Sequence, residues 1–491
     1  MTTPTSASPA DTIAAPPRLP LYRRAAFGLG DFAGQLVWTT VTSYLAVFYT
    51  ETVGLGAGVV ALLLLVTRVV DALIDPLVGA LAERTRSRYG RFRPWLLYGI
   101  VPLGITFVLT FTAPFPGSSA SAVVWAAVTY GILGILYSVV NVPYGALPAV
   151  MTESATDRVS LNSFRMIGTN AANVLLSLLT LPVIVFFSGA GDGRTQTVGG
   201  YTLTATVFAV LSVGLMLVVF ATSREVITPV KKGPAPIAAT ARAIFTNRPL
   251  MLNLIGTFLV LTAFFGRLGV VIFYALYNVQ NFALVPVLMS TPAIAAIIGI
   301  VVFTPLARRF GKRNLLITSL LGQSVSLFTL FFVGFDNIML VLALSFVYGL
   351  STFGTPLVLA MVPDAVDYGE ERSGIRTDGS SYATISFSTK IASAVGGGAG
   401  VALIGAFGFV PKAQQTAEAM NGINIAVNLV PAIITLLAIV PYLFYNLTES
   451  RVAEIRARLD ARGGIITDSE EVNEQQLSAG KKHMQNKKEK P

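Results

Sequence analysis

The chain has no cysteine and a single histidine, His483, which sits in a polar C-terminal stretch. Disulfides and thiolate chemistry are excluded, and a His-based catalytic group or a His/Cys metal cluster has nothing to be built from. Charge is scarce as well: Asp, Glu, Lys and Arg make up 12% of the 491 residues, about half the share usual in soluble domains. No Walker-type phosphate loop is encoded. The first 20 residues, rich in Ser, Thr, Ala and Pro, lack the basic-then-apolar order of a cleaved signal peptide. They read as a disordered arm, with the first membrane helix acting as an uncleaved insertion signal.

What fills the chain instead is hydrocarbon. Hydrophobic residues make up 53% of it, in apolar stretches of membrane-spanning length separated by short polar breaks. Twelve spans are expected, near 29–50, 56–82, 94–114, 121–149, 161–187, 201–222, 250–279, 284–307, 314–334, 338–361, 382–409 and 423–446. The loop charges test that count. Arg84, Arg86, Arg88, Arg91 and Arg93 lie between spans 2 and 3, and Arg308, Arg309, Lys312 and Arg313 between spans 8 and 9. Arg224, Lys231, Lys232, Arg242 and Arg248 lie between spans 6 and 7. Odd-numbered loops carry no Lys or Arg, apart from Arg194 and Lys412. The alternation puts both termini and the even-numbered loops on the cytoplasmic side. It also assigns the net charge of +10 to membrane orientation rather than to nucleic acid.

The expected fold is all-α: twelve transmembrane helices in two six-helix halves. Residues 1–28 form the arm, 29–222 the N-terminal bundle, 223–249 a cytoplasmic linker with Pro229, Pro234 and Pro236, 250–446 the C-terminal bundle, and 447–491 a cytoplasmic polar tail. A weak internal repeat, RYGRFRPWLL at 88–97 and RFGKRNLL at 309–316, follows the second helix of each half. Repeated halves are a transporter trait, with substrate expected near the midplane.

Few ionisable residues fall inside the spans: Asp31, Arg68, Asp71, Asp75, Arg267 and Lys390, with Arg165 near a helix start. Each costs about 2.5–3.5 kcal/mol at a helix centre, so each faces a cavity, a partner or a function. Arg68, Asp71 and Asp75 are i, i+3 and i+7 and share one helix face. One cation beside two carboxylates leaves a surplus negative charge, which invites a proton or a metal cation; an internal Arg–Asp brace is the plainer reading. Ser138 and Asn141 in YSVVNVPYGAL offer neutral oxygens, or form part of a kink with Pro143 and Gly145. Ser386 and Lys390 are i, i+4 in SFSTK, a positive charge within a span. Arg267 has no obvious partner and reads as bracing. Trp38, Tyr44, Phe48 and Tyr49 on the first span suit either a sugar face or helix packing.

GLGDFAG, FYTETVGL, TRVVDALIDPLVG, RTRSRYGRFRPW, NVPYGAL, DRVSLNSFR, VDYGEERSGIRTDG and FSTK, in that order from span 1 to span 11, resemble the glycoside–pentoside–hexuronide cation symporters. These form the melibiose-permease branch of the major facilitator superfamily. The resemblance implies the major facilitator fold and sugar uptake coupled to Na⁺ or H⁺, with Li⁺ as a third ion. It implies that Asp71, Asp75 and Ser138 bind the cation, with Asn141 nearby. It places Arg68, Arg165 and Lys390 at the sugar, with Gln35, Asn141 and Ser386. Two positions depart from melibiose permease. Its sugar-gripping carboxylates on helices 1 and 4 are Gln35 and Asn141 here, and its helix-4 Trp is Gly145. The pattern is closer to the glucuronide and pentoside carriers.

The expectation is therefore a cation-coupled symporter of a glucuronide, pentoside or other β-glycoside rather than an α-galactoside. It needs no cofactor, is monomeric and multi-pass in a bacterial inner membrane, and binds sugar and lipid. Opposite charges on two inner loops, Arg84, Arg91 and Arg93 against Asp364, Asp367 and Glu370 (with Arg376), are expected to pair across the halves as a gate. An uncoupled facilitator, or a carrier of another amphiphile such as a lysolipid, is the alternative within transport. An intramembrane enzyme or receptor would need a nucleophile–base pair or metal cluster that the chain does not supply.

Overall fold

The computed structural model describes residues 19–459 and 461, except 116, 118, 153–154, 190–194, 227–236, 282–283, 334–336, 375–376 and 412. Arg376, Arg194 and Lys412 lie outside the described residues. The chain divides into two compact units, Met1–Lys231 with Pro411–Ala413, and the remainder.

In the first unit α1 (Leu21–Val47) is followed by a π-helical turn, Phe48–Val53, and then by α2 (Ala57–Arg84), α3 (Arg93–Thr110), α4 (Ala120–Met151), α5 (Ala155–Ser188) and α6 (Val198–Thr222). The second unit holds α7 (Ile237–Thr246), α8 (Arg248–Phe273), a π-helical turn Tyr274–Asn278, α9 (Val285–Phe303), α10 (Ala307–Phe310), α11 (Lys312–Phe332) and α12 (Ile338–Leu350). It continues with α13 (Thr355–Ala360), α14 (Val362–Ser373), α15 (Asp378–Ala406), α16 (Ala417–Asn424), a π-helical turn Ile425–Leu429, α17 (Val430–Leu437) and α18 (Ile439–Leu443). Among the described residues there is no strand, only a lone bridge between Ser87 and Gly90.

Eleven of these helical stretches are long and apolar enough to cross a membrane. α1 has the length but is not one of them, because Asp31, Gln35, Thr39, Thr40, Thr42 and Ser43 lower its hydropathy. Of these, Asp31 and Thr39 bond to α5, while Thr40 and Thr42 bond back to carbonyls of α1 itself. On α2 the two faces separate cleanly: Leu62, Val66, Leu73 and Leu77 are exposed while Arg68, Asp71, Ala72, Val78 and Ala82 are buried.

Four segments differ from the sequence expectation. The first helix begins at Leu21, inside the expected arm, where the Leu19 amide donates to Asp157 Oδ2 at 2.8 Å. α7 occupies part of the expected linker. The acidic segment read as an inner loop is helical as α14, with Pro363 in its first turn and Asp364 at its positive end. It stops at Gly374, whose φ of +69° closes a C-terminal cap onto the Glu370 carbonyl. Residues 449–459, expected as solvated tail, also form a helix. Its Val452 and Ile455 are buried in the core of the second unit, with Leu459 packed against it. The 452, 455, 459 spacing was the visible signal of that apolar stripe.

Both units contain helices in backbone contact. A Cβ at Gly168 of α5 would lie 2.2 Å from the Gly28 carbonyl oxygen of α1, and a Cβ at Gly396 of α15 would lie 2.4 Å from the Thr262 carbonyl oxygen of α8. Membrane helices associate through such small-residue contacts. Gly168→Val is expected to disrupt α1–α5 packing by several kcal/mol, since overpacking against side chains alone costs about 1–3 kcal/mol and here the obstacle is backbone. The check is yield and thermal midpoint of the purified variant, with Gly145→Val as control because nothing lies within 4 Å of a Cβ there. Equal behaviour of the two variants would refute the contact.

The weak sequence repeat has a structural counterpart. Gly90 (φ +106°) and Gly311 (φ +81°) both open a turn after the second long helix of their unit. Glu225, just beyond α6, accepts the amides of Arg91, Phe92 and Arg93 at 2.8–3.0 Å. Glu449, just beyond α18, accepts the amide of Lys312 at 2.6 Å. Arg93 donates to the Phe220 carbonyl at 2.7 Å, and Arg313 to those of Tyr442 and Leu443 at 2.8 and 2.7 Å. In both units a carboxylate caps the start of a helix and an arginine caps the end of another.

Candidate functional site

The buried face of α2 brings Arg68 and Asp71 into the first unit. Asp71 is 1% exposed. Its Oδ1 accepts a hydrogen bond from Ser138 Oγ on α4 at 2.6 Å, and its Oδ2 lies 4.0 Å from Arg68 Nη1. Gly134, one turn before Ser138, lets α4 approach: a Cβ there would sit 3.5 Å from Asp71 Cβ. The Arg68 guanidinium lies over the Trp38 ring of α1, 3.8 Å from its centroid, with the Tyr130 ring at 5.7 Å. Trp38 in turn packs on Tyr137, ring centroids 5.1 Å apart. The Asp71 cluster is thus built from three helices.

A second cluster lies along the same stripe of α1. Arg165 of α5 donates to Asp31 through Nε at 2.6 Å and Nη2 at 3.3 Å, and its guanidinium lies 4.8 Å from the centroid of the Tyr144 ring. The Tyr144 hydroxyl is 2.9 Å from Asp31 Oδ2 and 2.7 Å from the Phe27 carbonyl. Gly30 makes room for that ring, since a Cβ would meet it at 2.4 Å. Gln35, one turn on, accepts from Thr39 Oγ1 at 2.8 Å, and the same hydroxyl lies 2.9 Å from Asn173 Oδ1. A hydroxyl has one proton, so one of the two amides turns its NH₂ toward Thr39. Asp31, Gln35 and Trp38 are i, i+4 and i+7 on α1, one face carrying a carboxylate, an amide and an indole. Tyr137 is the electrostatic neighbour of both clusters, feeling Asp31 and Arg165 on one side and Arg68 and Asp71 on the other.

The structure brings Arg68, Asp71 and Ser138 together, and sets Gln35 and Arg165 on helices that contact α1 or belong to it. Asp75, a turn beyond Asp71, is half-buried. Asn141 is exposed although Ser138, three residues earlier, is buried, so the two oxygens do not share one environment. In the second unit Ser386 is exposed and Lys390 half-buried on α15. Sequence reasoning noted Asp31 but gave it no role; as the carboxylate that neutralises Arg165 it was signalled only by the cost of leaving either charge alone. Tyr130, Tyr137 and Tyr144 were not singled out, because aromatic residues on apolar helices carry no polar spacing.

The charged residues assigned to a gate have partners of their own. Asp364 is ion-paired with Lys312 and, at 3.1 Å, with Arg456, which also holds Asp367 at 2.9 Å. Arg84 is exposed, Arg91 is half-buried with its guanidinium 5.4 Å from the Phe92 ring centroid, and Arg93 caps α6 as above. No group of three or more His, Cys, Asp or Glu suited to a metal occurs among the described residues.

Residues 26–449 match the MFS/sugar transport protein family. The chain is 32% identical to a Bacillus subtilis (strain 168) protein named as an uncharacterized symporter, YnaJ, over 92% of this chain and 97% of that one. It is also 32% identical to the glucuronide carrier protein homolog of Escherichia coli (strain K12), over 89% and 94%. In fold it is similar to a mutant form of the nucleoside transporter NupG, with a TM-score of 0.63 at 14% identity, covering 87% of this chain and all of that one. A match across nearly all the membrane helices, with those relatives, makes this chain a multi-pass membrane transporter that belongs to the MFS/sugar transport protein family and, within it, to the glycoside–pentoside–hexuronide symporters.

Proposed function

We propose that the protein carries a glycoside inward together with a cation, by alternating access, and leaves the sugar chemically unchanged. The observation that carries this reading is Asp71: a carboxylate buried in a membrane helix, hydrogen-bonded by Ser138 at 2.6 Å and 4.0 Å from Arg68, with the second acid Asp75 a turn away. Arg68, Asp71 and Asp75 together leave one negative charge, which a Na⁺ or a proton neutralises. Ser138, hydrogen-bonded to Asp71, supplies a neutral oxygen to the cation, while the exposed Asn141 is assigned to the sugar. Gln35, Arg68, Asn141, Ser386 and Lys390 are the proposed contacts to sugar. Arg165 acts there too, but with its charge already met by Asp31. The names of the two relatives, a symporter and a glucuronide carrier homolog, support both halves of the reading. The charge alternation of the loops supports cytoplasmic termini in a bacterial inner membrane.

The deciding experiment is uptake into proteoliposomes of labelled melibiose, a β-xyloside and a β-glucuronide, with Na⁺ and pH gradients imposed separately. Accumulation of a β-glycoside that collapses with one gradient is expected. Sugar that equilibrates without accumulating under either gradient would leave an uncoupled facilitator instead, and transport of none of the three would reject the glycoside reading.

Substrate sign gives a second test. An amide both donates and accepts, so Asn141 can hold hydroxyls without adding negative charge. Asn141→Asp is expected to weaken binding of an anionic β-glycoside about tenfold, the scale of one uncompensated charge near the ligand, and a neutral one much less. Competition binding reads the difference; equal losses would make Asn141 a packing residue, and good melibiose transport by the wild type would overturn the preference.

A further inference from the structure

Arg267 stands apart from the other basic residues in the membrane spans. It lies on α8 and is 8% exposed. Arg165 has Asp31 and Arg68 has Asp71, but among the described residues no carboxylate lies within 4.0 Å of Arg267, and its Nε is buried without an acceptor. Its surroundings are aromatic and neutral. The guanidinium is 4.5 Å from the centroid of the Tyr348 ring on α12. Tyr274, seven residues on and so on the same helical face, is its other electrostatic neighbour, with Asn428 beside it. Both Tyr274 and Asn428 sit in π-helical turns, Tyr274–Asn278 and Ile425–Leu429, a distortion frequent at functional sites.

A brace between helices would pair Arg267 with an acid or with backbone carbonyls, as Arg93 and Arg313 are paired. A face of one ring meets part of a guanidinium's demand but accepts none of its five N–H bonds in the plane. The cation is therefore built into the membrane with its planar fork unanswered. A carboxylate matches that fork in two parallel hydrogen bonds, which a spherical anion cannot do. Aromatic rings with hydroxyls beside it suit a pyranose. Access to a buried side chain comes with the helix rearrangements of an alternating-access cycle.

We propose, resting on the reading of the chain as a glycoside carrier, that Arg267 is a specificity-determining residue that receives the carboxylate of a uronic-acid glycoside.

The test uses the purified full chain and two probes that differ at one group, 4-nitrophenyl β-D-glucuronide and 4-nitrophenyl β-D-glucoside, in buffers with chloride and with chloride replaced by sulfate. Free glucuronate is added as a simple anion, and its effect on the thermal midpoint is measured. Wild type is expected to bind the glucuronide about tenfold more tightly than the glucoside in both buffers, and to be stabilised by glucuronate. Arg267→Gln is expected to lose both effects while binding the glucoside within about twofold of wild type, with Arg267→Lys in between, because an ammonium keeps the charge without the fork. Wild type that binds both glycosides alike overturns the assignment even if no variant folds. So does Arg267→Gln that weakens both glycosides equally, the mark of a brace, or that keeps the glucuronide advantage and loses only a chloride effect. Uptake of the neutral glucoside without any glucuronide preference would reject Arg267 and leave glycoside transport standing. Absence of uptake of every glycoside, with glucuronate stabilisation still dependent on Arg267, would reject the transport reading and leave the carboxylate site.

Discussion

Asp71→Asn is expected to end uphill accumulation of sugar while exchange of labelled for unlabelled sugar continues. One charge moving through a potential of 100 mV is worth about 2.3 kcal/mol, enough for roughly 50-fold accumulation at about 1.4 kcal/mol per tenfold. Removing the charge that attracts the cation should bring that ratio to about 1. The substitution is well suited to separating coupling from folding. Asn retains an oxygen that accepts from Ser138 Oγ, now 2.6 Å from Asp71 Oδ1, and Arg68 keeps the rings of Trp38 and Tyr130. Asp75→Asn should act in the same direction, and Ser138→Ala should weaken the cation requirement without erasing it. The measurement is accumulation under an imposed gradient beside counterflow in the same vesicles. Asp71→Asn that accumulates sugar like wild type would remove Asp71 from the cation site, and loss of counterflow as well would make it a structural brace.

The second large effect is expected at Asp31. Its carboxylate takes two guanidinium bonds from Arg165 and lies beside the Tyr144 hydroxyl, with side-chain exposure of 15% and 24% for the acid and the base. Breaking a buried pair from one side leaves the other charge stranded, a cost on the order of 3 kcal/mol, and partial exposure brings Asp31→Asn toward the lower end of that scale. Pairing Asp31→Asn with Arg165→Gln should restore much of the stability, because no uncompensated charge then remains. A double-mutant cycle on thermal midpoint reads the coupling. If the double variant is no more stable than Asp31→Asn alone, the pair is not what holds α1 to α5, and the Gly28–Gly168 contact carries that role by itself.

Much of this was legible along the chain because membrane helices announce themselves. Lipid demands about 20 apolar residues per span, and insertion sorts Lys and Arg to one side, so span positions and the cost of Asp71 in one of them follow from residue order. The repeat around Gly90 and Gly311 was legible for the same reason: a helix cap needs its residues within a few positions of one another. Where sequence reading went astray, the segments were short and amphipathic. α14 and the helix at 449–459 are too polar to resemble membrane spans, and their apolar stripes acquire meaning only against a core that is distant in sequence.

The amino-acid sequence by itself determined that this is a cysteine-free, multi-pass membrane chain with acids on one face of its second span, because composition, period and loop charge are local properties. Only the tertiary structure decided which charge answers which. Arg165 found Asp31 across 134 positions, Asp71 found Ser138 across 67, and Asp364 found Lys312 across 52 and Arg456 across 92. Among the described residues, Arg267 has the ring of Tyr348 beside it and no acceptor for its Nε. A side chain's partner is set by which helices pack together and in what register, and in a membrane, where water is not there to stand in for a missing partner, that choice fixes which charges are structural and which remain available to a ligand.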